Sequence, residues 1–62
     1  MAASFELYQD KAGKFRWRLR HQNGNVIADS GEGYESKANA LNGIKSVKEN
    51  APEAPVEEQA AS

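Results

Sequence analysis

A chain of 62 residues with a net charge of −1 allows one domain and argues against strong general affinity for nucleic acid. It has no cysteine, so disulfides and thiolate metal sites are excluded, and a zinc site on its single histidine would need several carboxylates beside it. A chain this short buries only about 60% of the surface its unfolded form exposes, so a lone core is marginal and self-association is the expected remedy.

The first element is Phe5-Glu6-Leu7-Tyr8, which alternates apolar and polar as a half-buried strand does. Asp10-Lys11-Ala12-Gly13 is a turn sequence. Lys14 to Arg20 then alternates more cleanly: Phe15, Trp17 and Leu19 share one face, and Arg16, Arg18 and Arg20 share the other. A three-residue loop, Lys11-Ala12-Gly13, with Gly13 in the left-handed region, sets Leu7 against Trp17, Phe5 against Leu19, Glu6 against Arg18 and Tyr8 against Arg16. Apolar then meets apolar and acid meets base. A slip of one residue would move every buried side chain to water.

Asn23-Gly24 is a strong hairpin signal, read as the two-residue type I′ turn in which both residues take positive φ. The third strand is Val26-Ile27-Ala28-Asp29-Ser30. The two-residue turn places His21 opposite Val26, Leu19 opposite Ala28 and Arg18 opposite Asp29. Gly31-Glu32-Gly33 is a connecting turn, and Ser36 is the expected N-cap of a helix from Lys37 to about Glu49. Ala40, Leu41, Ile44 and Val47 form one apolar stripe on it. Gly43 costs about 1 kcal/mol relative to alanine in a helix interior, which implies close approach of the helix backbone to the sheet. Pro52 and Pro55 stop the helix.

Residues 1–50 carry all 8 basic residues against 6 acidic ones, a balance of +2; residues 51–62 carry Glu53, Glu57 and Glu58 and no base. The composition of this Ala/Pro/Glu tail favours disorder. No apolar run is long enough to span a bilayer, and Met1-Ala2-Ala3-Ser4-Phe5 lacks the layout of a signal peptide. The expected location is the cytoplasm, without membrane partners.

The spaced motifs Phe5-Glu6-Leu7-Tyr8, Gly13, Trp17-Arg18-Leu19, Asn23-Gly24, Ser30-Gly31-Glu32-Gly33-Tyr34 with Lys37, and Asn42-Gly43-Ile44 with Val47 resemble the YegP-like family over roughly residues 4 to 51. That is a bacterial domain family of unknown function. The resemblance implies an α+β unit of order β-β-β-α-β, occurring as tandem repeats or as single copies that pair. Two units are expected to build one joint sheet with the last strands exchanged. A single copy therefore implies a homodimer, and Pro55-Val56-Glu57-Glu58 becomes a candidate exchanged strand. Tyr34 and Val56 are the candidate dimer contacts. No activity, cofactor or catalytic residue can be carried over.

The most suggestive surface is the row Lys14, Arg16, Arg18 and Arg20 with Tyr8 beside it. Such a face can hold phosphates while the ring stacks on a base. Against this, Glu6 and Asp29 are cross-strand neighbours of Arg18 and would neutralise the middle of the row. Trp17 is read as the centre of the core, packed on Leu7 and on Leu41 and Ile44 of the helix, which crosses the sheet face holding Phe5, Leu7, Phe15, Trp17, Leu19 and Ala28. His21 sits at a hairpin end without a nucleophile and an orienting acid, so no enzyme is expected. The expectation is an α+β domain over residues 1–50 with the tail 51–62, acting as a cofactor-free homodimeric binding module. A weak nucleic-acid binder using the arginine face is the alternative.

Overall fold

The run Phe15-Arg16-Trp17-Arg18-Leu19-Arg20 supplies the central strand of an antiparallel sheet. A computed structural model of the chain describes residues 2–60; Met1, Ala61 and Ser62 lie outside the described residues, and with them the ends of the leader and tail readings. Strands β1 (Ala3–Gln9), β2 (Phe15–His21) and β3 (Val26–Asp29) lie in the order β1-β2-β3, followed by helix α1 (Lys37–Asn50) and a 3-10 turn, Ala51–Glu53. The α+β architecture matches the expectation.

The first hairpin has the expected register: Leu7 faces Trp17, Phe5 faces Leu19, Glu6 faces Arg18 and Tyr8 faces Arg16. Its loop is Lys11-Ala12-Gly13. Gly13 has φ +84 and donates its N–H to the Asp10 carbonyl at 3.0 Å, while the Asp10 N–H donates to the Lys14 carbonyl at 2.8 Å. The Asp10 carboxylate accepts the Ala12 and Lys14 N–H groups at 2.9 and 3.0 Å, which fixes the turn from inside.

The second hairpin corrects the expected type I′ turn. Only Gly24 takes a positive φ, +97; Asn23 does not. The loop is Gln22-Asn23-Gly24, closed by the Gly24 N–H on the His21 carbonyl and the His21 N–H on the Asn25 carbonyl. It thus repeats the bonding of the first loop. Asn23 keeps ordinary backbone angles because its Oδ1 accepts the Asn25 N–H at 2.9 Å, a turn of its own kind. The longer loop places Arg20, and not His21, opposite Val26. A bulge at Ile27 then restores Leu19 opposite Ala28 and Arg18 opposite Asp29. One extra loop residue and one bulge cancel, so the apolar face keeps its side.

Beyond β3 the chain stays beside β2. Ser30 donates to the Trp17 carbonyl, and Tyr34 exchanges both backbone bonds with Phe15 at 2.8 and 2.9 Å. Ser36 then caps α1, its hydroxyl accepting the Asn39 N–H at 3.1 Å, as its place before the apolar stripe predicts. The helix ends one residue beyond the expected Glu49, and Pro52 sits in the 3-10 turn that follows.

The helix packs mainly on β2. Trp17 (5% exposed) and Ala40 (0%) are the buried apolar residues among those described. Trp17 meets Phe5 edge-on, with ring centroids 5.6 Å apart. A Cβ on Gly43 would lie 2.6 Å from the Tyr34 hydroxyl and 3.2 Å from Trp17 Nε1, so the helix needs glycine where it crosses these rings. Two expectations about the core are corrected. Leu41 is 47% exposed, and Ala28 is exposed along with all of β3. A single helix of 14 residues lies over the middle of the sheet, leaving β3 exposed and β1 half-covered.

Candidate functional site

The two faces of the sheet carry different candidate surfaces. On the outer face, alternation brings Tyr8, Lys14, Arg16, Arg18 and Arg20 together as expected, but each cation has a partner. Arg16 Nε donates to Asp10 Oδ2 at 2.6 Å. Arg18 Nε and Arg20 Nε share Glu6 Oε1 at 2.8 and 3.0 Å, and Arg20 Nη1 also reaches the Gly24 carbonyl at 2.8 Å. Lys14 pairs with Glu35. The Tyr8 ring, the candidate base-stacking platform, is covered by the Arg18 guanidinium 4.5 Å from its centroid.

These bonds account for the electrostatics of the face. The guanidinium groups of Arg18 and then Arg20 hold the Glu6 carboxyl below its ordinary value. Arg16, then the Lys14 N–H, does the same for Asp10. The same contacts raise Arg16 and Arg18 further above their ordinary range. Asp29 stands opposite Arg18 in the register, yet its Oδ1 accepts the Gly31 N–H at 2.9 Å and serves the turn. The sequence reading found Glu6 from register but missed Asp10 and Glu35. Asp10 was absorbed into the turn motif, and Glu35 reaches Lys14 only because Tyr34 docks on Phe15.

The inner face carries an open apolar groove of about 450 Å³ between β1 and α1. It is lined by Phe5, Leu7, Leu19, Leu41 and Ile44, with Ser4 and Lys48 at its rim. The five large apolar lining residues are core positions in the sequence reading, and Ala3 joins the lining; the groove arises because α1 does not reach across β1. Tyr34 is partly buried against its own chain, with its hydroxyl over Gly43. Val56 is 99% exposed in a segment, residues 54–60, without strand or helix. Residues 54–60 therefore form no strand within a single chain.

His21 Nδ1 accepts the Asn23 N–H at 3.2 Å, which ties the ring to the hairpin loop. Among the described residues, no group of three His, Cys, Asp or Glu side chains could hold a metal ion, and no helix is long and apolar enough to cross a membrane.

Comparison with known proteins gives a consistent picture. Residues 10–58 match the model of a domain of unknown function, DUF1508. The chain is similar to a UPF0339 protein of Treponema denticola, 60% identical over 94% of this chain and 98% of the relative. It is similar to another UPF0339 protein, in the ptx operon 5′ region of Stutzerimonas stutzeri, 55% identical over 86% of this chain but 47% of that relative. Its fold is similar to the NMR solution structure of a protein from Haloferax volcanii, with a TM-score of 0.87, 61% identity, and coverage of 92% of this chain and 95% of that one.

Proposed function

Since the chain belongs to the DUF1508 family, the YegP-like family of its sequence motifs, we propose that it is a small interaction module whose working form is a homodimer. The observation that carries this reading is the half-covered inner face. A groove of about 450 Å³ lined by five large apolar residues lies open beside a core that, among the described residues, holds only two buried ones. A domain of this size gains from a partner that covers such a surface. In this reading a second copy extends the sheet, and Val56 with Glu57 and Glu58 crosses between the copies as a short strand. The family match supports this role for the tail, because it runs past Asn50 to residue 58. Pro55 suits the start of such a strand, where no ladder donor is needed.

The module is read as non-catalytic and cytoplasmic. The paired outer face argues against the alternative of nucleic-acid binding, because a cation already bonded to a carboxylate has less to offer a phosphate. Oligonucleotide binding is accordingly expected to be absent even at low salt.

Sedimentation of the full chain, of a chain ending at Asn50 and of Leu41→Glu tests the proposal. The full chain is expected to sediment as a dimer and the truncated chain as a monomer or an unfolded chain. Leu41→Glu, at a side chain 47% exposed in one chain, is expected to weaken the dimer by about 2 kcal/mol or more while the monomer still folds. A stable monomer at every concentration of the full chain would sink the reading.

A further inference from the structure

The chain contains the dipeptide Asn-Gly twice, at Asn23-Gly24 and at Asn42-Gly43. The fold treats the two differently, and from this difference we propose that Asn23 is a site of spontaneous deamidation and backbone isomerisation, while Asn42 is protected. The reaction is internal. The Gly24 backbone nitrogen attacks Asn23 Cγ, a C–N bond forms, the Cγ–Nδ2 bond breaks and ammonia leaves with the displaced protons. Water then opens the cyclic imide at either carbonyl, giving aspartate or isoaspartate. Glycine favours the attack because no side chain hinders its nitrogen.

At Asn23 the electrophile is already prepared. Its Oδ1 accepts the Asn25 N–H at 2.9 Å, a donor placed where negative charge develops on that oxygen as the nitrogen adds. The nucleophile is held by a single backbone bond, from the Gly24 N–H to the His21 carbonyl at 2.8 Å. That bond lies in a loop of exposed residues, Gln22 to Asn25, where local opening takes little free energy. Asn42 lies inside α1, where the Gly43 N–H belongs to the helical ladder and the chain cannot turn its nitrogen onto the preceding side chain. Gly43 is also pinned beneath the Tyr34 and Trp17 rings.

The product changes the hairpin end. A carboxylate appears where Asn23 now donates its N–H to His21 Nδ1 at 3.2 Å, in a loop whose Gly24 carbonyl takes Arg20 Nη1 at 2.8 Å. Isoaspartate also adds a backbone methylene to the loop whose length sets the β2–β3 register.

Ageing the full chain in mildly alkaline buffer, followed by peptide mass spectrometry and isoaspartyl methyltransferase labelling, tests the proposal. The same incubation in strong denaturant serves as the control. In the folded chain Asn23 is expected to convert at least about tenfold faster than Asn42, and in denaturant the two are expected to convert at similar rates. Equal rates in the folded chain, or an Asn23 that survives folded ageing while converting in denaturant, would overturn it.

Discussion

The two faces of the sheet reverse a common intuition. The outer face carries four cations, yet each is bonded within the chain: Arg16 to Asp10, Arg18 and Arg20 to Glu6, and Lys14 to Glu35. The inner face is apolar, yet α1 covers only its centre and leaves a groove lined by Leu41, Ile44, Phe5, Leu7 and Leu19. A row of charge is thus a solvated, self-satisfied surface here, and the unfinished core is the surface with free energy still to gain. The outer pairs are half-open to water and contribute little to stability.

The contrast can be broken most forcefully at the centre of the inner face. Trp17→Ala removes the buried ring that meets Phe5 and sits beneath Gly43, at a cost of about 3–5 kcal/mol. A domain of this length has roughly 3–9 kcal/mol in total, so the variant is expected to lose its cooperative thermal transition. Circular dichroism on heating checks this, and a native-like melt would show that the inner core is not what holds the fold.

Gly43→Ala sharpens the account of how helix and sheet meet. Alanine raises helix propensity by about 1 kcal/mol, but its Cβ would meet the Tyr34 hydroxyl at 2.6 Å. The net expectation is a loss of about 1–3 kcal/mol. Tyr34→Phe in the same chain removes the clashing oxygen and is expected to recover part of the loss, since Tyr34 Cζ and Trp17 Nε1 stay 3.1 and 3.2 Å from the added Cβ. Urea unfolding of the single and double variants measures the coupling.

The outer face should yield the smallest effect, and it has a sign. Glu6 and Asp10 are lowered from their ordinary values of 4.5 and 3.8 by their arginine partners. Their contribution is complete above those ordinary values and is lost as the pH falls through the lowered folded ones. Stability is therefore expected to be level near neutrality and to decline slightly below about pH 4.5. Urea melts of the native chain and of Glu6→Gln across that range check it. The variant should lack part of the decline, and an equal decline in both would assign the acid sensitivity elsewhere.

Much of this molecule is legible in its sequence. Alternation from Phe15 to Arg20 fixed the two faces, and Gly13 after Asp10 fixed the first loop and, with it, the whole β1–β2 register. Ser36 marked the helix start, and Gly43 announced a close crossing. These features rest on interactions between residues near one another in sequence, or on a period that any strand or helix must obey. The second hairpin was legible only in outcome, because the extra loop residue and the Ile27 bulge offset one another. The charge on the outer face was legible as a row but not as a set of pairs beyond Glu6. The pairing of Glu35 with Lys14 and the seat of the Tyr34 hydroxyl over Gly43 depend on where the chain after β3 docks. The groove depends on how far a 14-residue helix reaches across three strands. Those are long-range placements set by packing, and no local pattern encodes them. Sequence by itself determined which residues face together, while only the tertiary structure decided which of those faces is finished.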